Sequence, residues 1–118
     1  MTARELTLSS LYAARDKLGD LIVRWTPEAG DDAARRSQAE ALQGLLRARD
    51  EVSGAINGVI GIAFREVSTP ELLGAARELA ATAAALQAFG QSIAQVGEVL
   101  KAVDRAVELT TKVMLLAV

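Results

Sequence analysis

The chain has 118 residues, of which 51% are apolar and only 3% aromatic, and it contains neither cysteine nor histidine. These counts exclude disulfide frameworks, thiolate or imidazole metal ligands, and cysteine- or histidine-dependent catalysis. Alanine (23 residues) and leucine (16 residues) make up a third of the chain, a composition that favours helices over strands. Thirteen basic and fifteen acidic residues are mixed along the chain without a basic block, so we expect no nucleic-acid partner.

Capping signals divide this single domain into three predicted helices. Thr2 and Glu5 have the spacing of a capping box at the start of the first helix. A stretch with proline and glycine follows, and it ends in Asp31 and Asp32, either of which is suited to cap the second helix. A further Ser-Thr-Pro-Glu stretch at 68–71 begins the third helix. The predicted helices cover residues 3–25, 32–66 and 70–117.

The third predicted helix carries the strongest periodic signal. Its start is compatible with a capping box from Ser68, or with Thr69 as the cap before a proline in the first helical position. Apolar residues recur every seven positions from Leu72 to Met114, and a companion row lies three residues further on. The repeat passes through Gly90 unchanged, whereas a loop normally resets it, so we predict one continuous helix. A break near Gly90 would produce four helices instead.

The predicted fold is an all-α antiparallel bundle of long helices with coiled-coil-like packing. The short connection before the third helix predicts a hairpin of the second and third helices, in which the second covers only part of the third. An uncovered apolar seam of this length favours self-association, with a dimer as the simplest case. The predicted interface consists of Leu86, Phe89, Ile93, Val96, Leu100, Val103, Val107 and Met114.

An uncharged stretch of thirteen residues, 52–64, lies near the predicted tip of that hairpin. Gly54 and Gly58 are four residues apart, and Gly61 follows Gly58 by nearly one helical turn. Ile60 lies between Gly58 and Gly61. Small residues at this spacing let helix backbones approach closely, so close packing within the bundle is the simplest interpretation. Binding of the tip to a lipid surface is the alternative, although the stretch is too short to cross a bilayer.

One charged residue, Arg49, falls in the apolar row of the second helix. A buried charge is costly unless it is paired. Arg49 therefore either extends to solvent at the edge of the seam or forms an ion pair that sets the register of the helices.

The remaining polar residues do not form a catalytic or cofactor pattern. Carboxylates are scattered or suited to capping, and no glycine-rich phosphate loop is present in the sequence. We therefore expect no enzyme activity, no cofactor and no bound metal. The expected function is a helical interaction or assembly protein, bacterial in composition and cytoplasmic, that binds itself or a protein partner. Action at a lipid surface is the alternative.

Overall fold

The computed structural model describes residues 1–25, 30–65, 67–90 and 93–118, with only the backbone at 93 and 94. These residues form four α-helices and no strand. The all-α class is therefore confirmed, and the elongated bundle measures 56 × 23 × 18 Å. The helices are α1 (Ala3–Val23), α2 (Asp32–Ile60), α3 (Pro70–Leu86) and α4 (Ile93–Ala117).

The three predicted helix starts are confirmed, because each has a side-chain cap that satisfies a backbone N–H at the first turn. Of the alternatives at α3, Thr69 is the cap, and Pro70 occupies the first helical position. In each cap a side-chain oxygen accepts from the N–H three residues on: Thr2 from Glu5 (3.1 Å), Asp31 from Ala34 (2.8 Å), and Thr69 from Leu72 (3.2 Å).

The prediction of one continuous helix over 70–117 is wrong. Helix α3 ends at Leu86, and the next three N–H groups donate to carbonyls three residues back, which closes the last turn tightly. The Gly90 N–H then donates to Oε1 of Gln95, at 2.6 Å. Six residues lie between Leu86 and Ile93, so Ile93 is seven positions after Leu86. Apolar residues therefore still recur every seven positions across the break. Heptad phase alone could not detect this break.

The predicted hairpin of the second and third helices is also wrong. Helix α2 ends at Ile60 rather than at 66, and Gly61 caps it, with its N–H donating to the Asn57 carbonyl at 3.0 Å. The nine residues 61–69 then separate α2 from α3. A chain of this length spans up to about 30 Å, which is enough to cross the end of the bundle. In the described residues α2 and α3 lie on a diagonal and do not contact each other.

The actual arrangement is two antiparallel hairpins, α1–α2 and α3–α4, packed side by side in the same direction. Helix α1 contacts α2 and α3, and α4 contacts the same two helices. The starts of α1 and α3 and the end of α4 meet in one core cluster. Therefore α1 runs parallel to α3, and α2 runs parallel to α4. Two pairs of contacts show the shared direction of α2 and α4, because Gly44 meets Leu100 at one level and Gly58 meets Met114 further along both helices.

The core extends along the whole bundle in two clusters. The larger contains buried leucine, valine and alanine from all four helices, and the smaller lies where α1 and α3 begin and α4 ends. Three buried hydroxyls, of Thr7, Ser10 and Thr110, donate to carbonyls four residues back at 2.7–2.8 Å. These bonds satisfy the hydroxyls within their own helices, so their burial does not leave an unpaired polar group.

Candidate interaction surfaces

Seven of the eight residues of the predicted interface have described side chains, and these seven pack into the core of the same chain. Three of them, Leu86, Val96 and Val103, are buried in the larger core cluster. Four are half-buried and pack against that cluster: Phe89, Leu100, Val107 and Met114. The side chain of Ile93 lies outside the described residues. The break between α3 and α4 explains this placement, because α4 folds back along α3. Helix α2 then covers another side of α4.

The seam between α2 and α4 is closed by long side chains that lie over glycines. A Cβ atom at Gly44 would be 3.1 Å from Cδ1 of Leu100, and one at Gly58 would be 3.3 Å from Sδ of Met114. Gly58 therefore leaves room for the Met114 side chain, whereas its spacing predicts a close approach of helix backbones. Gly54 is exposed, with open space where a Cβ would lie, and Gly61 caps α2.

Five exposed aliphatic side chains lie at one end of the bundle, where α1 and α3 begin and α2 and α4 end. We call this surface the apolar end. Val67 is 80% exposed, Leu115 73% and Ile60 49%. Exposed large hydrophobics elsewhere in the described residues are Tyr12 and, at the opposite end, Val23. The apolar end is formed by Met1, Ile60, Val67, Leu115 and Val118.

A shallow groove of about 730 Å³ runs between the parallel helices α1 and α3. Small residues from both helices form its walls, and we call it the alanine groove. Toward one end Lys17 Nζ donates to the Gln87 carbonyl, and Nε2 of Gln87 donates to the carbonyl of Ala13, both at 3.4 Å. The small residues of the walls are Ser9, Ser10, Ala13, Ala80, Ala83 and Ala84.

Arg49 is half-buried on the edge of another groove, between α1 and α2, that also contains Asp16 and Asp20. In the described part of the chain its guanidinium has no carboxylate within ion-pair distance. An ion pair from Arg49 therefore does not set the register of α1 and α2 in this arrangement. Its position at the edge allows the charge to reach solvent along its aliphatic stem.

The other charged side chains of the described residues are exposed or half-buried, and one ion pair among them links separate helices. Arg105 of α4 contacts Glu78 of α3 at 3.1 Å and Glu108 of its own helix at 3.2 Å, with all three side chains more than half exposed. No group of three or more acidic residues in the described ranges is close enough to hold a metal ion. Nor does any helix there have the length and apolar character needed to cross a membrane.

Comparison with protein families, curated proteins and solved structures found no match for this chain. The proposed function therefore rests on the surfaces of this chain. Sequence reasoning included Ile60 of the apolar end among the candidate site residues, but it did not include Met1, Val67, Leu115 or Val118. Their common signal is an apolar residue near a helix end and outside the core-facing stripe. That signal becomes visible only when the helix directions are known.

Proposed function

We propose that this chain is a non-enzymatic helical bundle that associates with another protein surface, in the first place that of a second copy, through the apolar end. The supporting observation is that, among the described residues, five of the seven exposed large hydrophobic side chains lie at that end. Scattered single apolar residues are ordinary on protein surfaces, whereas a contiguous group is typical of an interaction site.

This proposal moves the interface from the middle of the predicted seam to its end. Leu100, Val107 and Met114 already contact the core of their own chain. The last turn of α4 still presents Leu115 and Val118 to solvent. Removing these side chains from water on association would contribute about 25 cal/mol per Å² of apolar area, before the cost of association.

The size of the apolar end limits the strength of the contact. The bundle is 23 × 18 Å in cross-section, or about 400 Å². A stable interface buries about 800 Å² per partner. We therefore expect end-to-end association to be weak and dependent on concentration, unless side chains on the flanks of the bundle join the contact.

Light scattering over roughly a hundredfold range of protein concentration tests the proposal. We expect the mean mass of the wild-type chain to rise with concentration, and Leu115→Glu to abolish that rise. Val23→Glu is the matched control, because Val23 is 84% exposed at the opposite end. Circular dichroism establishes that both variants keep the helical fold. A constant monomer mass for the wild type, or an equal effect of both variants, contradicts the proposal.

Binding of the same end to a lipid surface is a second candidate, favoured by a specific observation. Ile60 and Gly61 belong to the uncharged stretch 52–64, both are exposed, and Ile60 is a member of the apolar end. Cosedimentation with zwitterionic liposomes tests this candidate. It predicts binding by the wild type, loss with Ile60→Asp and retention with Val23→Asp. Absence of wild-type cosedimentation eliminates it.

A further inference from the structure

A crevice of about 330 Å³ opens beside the starts of α1 and α3. Phe64 and Leu73 contribute apolar surface to it, and both pack against the smaller core cluster. Phe64 packs against the larger cluster as well, so it lies between the two. The apolar wall of the crevice is thus supported by the core from behind. Thr2 and Ser68 add polar atoms from the residues that precede the two helices.

Two arginines line the same crevice, Arg4 from α1 and Arg65 from the connection after α2. Arg65 is held by the end of α4, because its backbone N–H donates to the Ala117 carbonyl at 2.8 Å. Its Nη2 donates to the main-chain oxygen of Val118 at 3.1 Å. One such bond leaves most of the five guanidinium N–H donors available to a ligand.

The described residues that line the crevice carry positive side-chain charge only. Arg4 is half-buried and has no ion pair among the described residues, and none of the described lining residues has a carboxylate side chain. The adjoining carboxylate of Glu5 accepts a hydrogen bond from Thr2 Oγ1 at 3.0 Å. Two guanidiniums at one small opening repel each other, and an anion between them would relieve that repulsion. Guanidiniums also bind carboxylates with strong charge-assisted hydrogen bonds.

We propose that this crevice binds a carboxylate with a short apolar tail, such as a medium-chain fatty acid. The carboxylate lies between Arg4 and Arg65, and the tail contacts Phe64 and Leu73. A water molecule takes about 30 Å³ in the liquid, so the crevice accommodates roughly ten non-hydrogen atoms, the size of octanoate. The proposal needs no second protein surface, but the crevice adjoins the apolar end, because Met1 belongs to both.

An NMR titration of the ¹⁵N-labelled chain with octanoate tests the proposal. We expect shifts confined to the residues around the crevice, with a Kd on the order of 1 mM for so small a ligand. The double variant Arg4→Gln, Arg65→Gln should weaken binding at least about tenfold, because both charged donors are lost. Arg36→Gln, on the exposed surface at the start of α2, is the matched control and should bind as the wild type does.

Other ligands test the assigned chemistry. Acetate lacks the tail and octanol lacks the charge, so each should bind more weakly than octanoate. Equal binding of octanol, or an unchanged Kd in the double arginine variant, overturns the proposal. Tighter binding of N-acetylleucine would instead indicate a peptide carboxyl terminus and overturn the fatty-acid assignment. Leu115→Glu, designed to prevent self-association, should retain octanoate binding, so that failure of one proposal is distinguishable from failure of the other.

Discussion

The two parallel helix pairs of this bundle differ in how completely they fill the space between their axes. Between α2 and α4, Leu100 lies over Gly44 and Met114 lies over Gly58. Between α1 and α3, alanine and serine face alanine, and a groove of about 730 Å³ remains open. The comparison shows that apolar character alone does not close a seam. A large side chain of one helix must lie over a small residue of the other, because small residues on both helices leave an open groove at the surface even where the helices lie close together.

Among the substitutions that test the packing of these helix pairs, Leu100→Ala is expected to lower the free energy of unfolding most. The change removes the side chain that covers Gly44, and we expect the free energy of unfolding to fall by about 2 kcal/mol, the low end for a leucine in a core. Urea denaturation at low protein concentration measures it. Leu115→Ala on the exposed side of α4 is the control and should change stability by less than about 0.5 kcal/mol. Equal losses in the two variants would mean that Leu100 does not fill the α2–α4 seam.

An intermediate effect is expected from alanine substitution at two glycines of α2. Gly54→Ala adds a methyl group in open space and should raise the free energy of unfolding by about 1 kcal/mol through helix propensity. Gly58→Ala brings the same propensity gain, but its Cβ would lie 3.3 Å from Sδ of Met114, which must then shift. We therefore expect a smaller gain, or a loss, in thermal denaturation. A gain at Gly58 equal to that at Gly54 would show that α2 and α4 are not in close contact there.

The smallest effect is expected in the alanine groove. Ala84→Leu places a longer side chain at an exposed position on its wall, where open space can accommodate it. We expect stability to change by less than about 0.5 kcal/mol, as for other surface substitutions. Chemical denaturation beside the wild type measures the difference. A loss of more than about 1 kcal/mol, the range of overpacked interiors, would indicate that α1 and α3 pack too closely for a groove.

The helix starts were predictable because capping is a local matter. Thr2, Asp31 and Thr69 each bond an N–H three residues away, so the signal and its partner are adjacent in the sequence. The break after Leu86 was not predictable from the heptads, because a turn of six residues preserves a spacing of seven. Gly90 indicated only where such a break could occur.

The predicted interaction site illustrates the same limit. The periodic residues of the third segment lie on two helices, α3 and α4, rather than on one helix face, and the sequence did not reveal what covers them. Val103 is buried within this chain, while Leu115, outside the stripe, is exposed. Whether an apolar side chain is exposed depends on which helix packs against it. The apolar repeat does not specify that helix.

The all-α class, the helix starts and the apolar faces were predictable from alanine and leucine content, from local caps and from the period of the α-helix. The diagonal placement of α2 and α3, the parallel direction of α1 and α3, and the five exposed apolar residues at one end emerged from the folded structure. Helix propensity and capping act over a few residues. The choice of packing partner instead depends on how side chains of distant segments fit together.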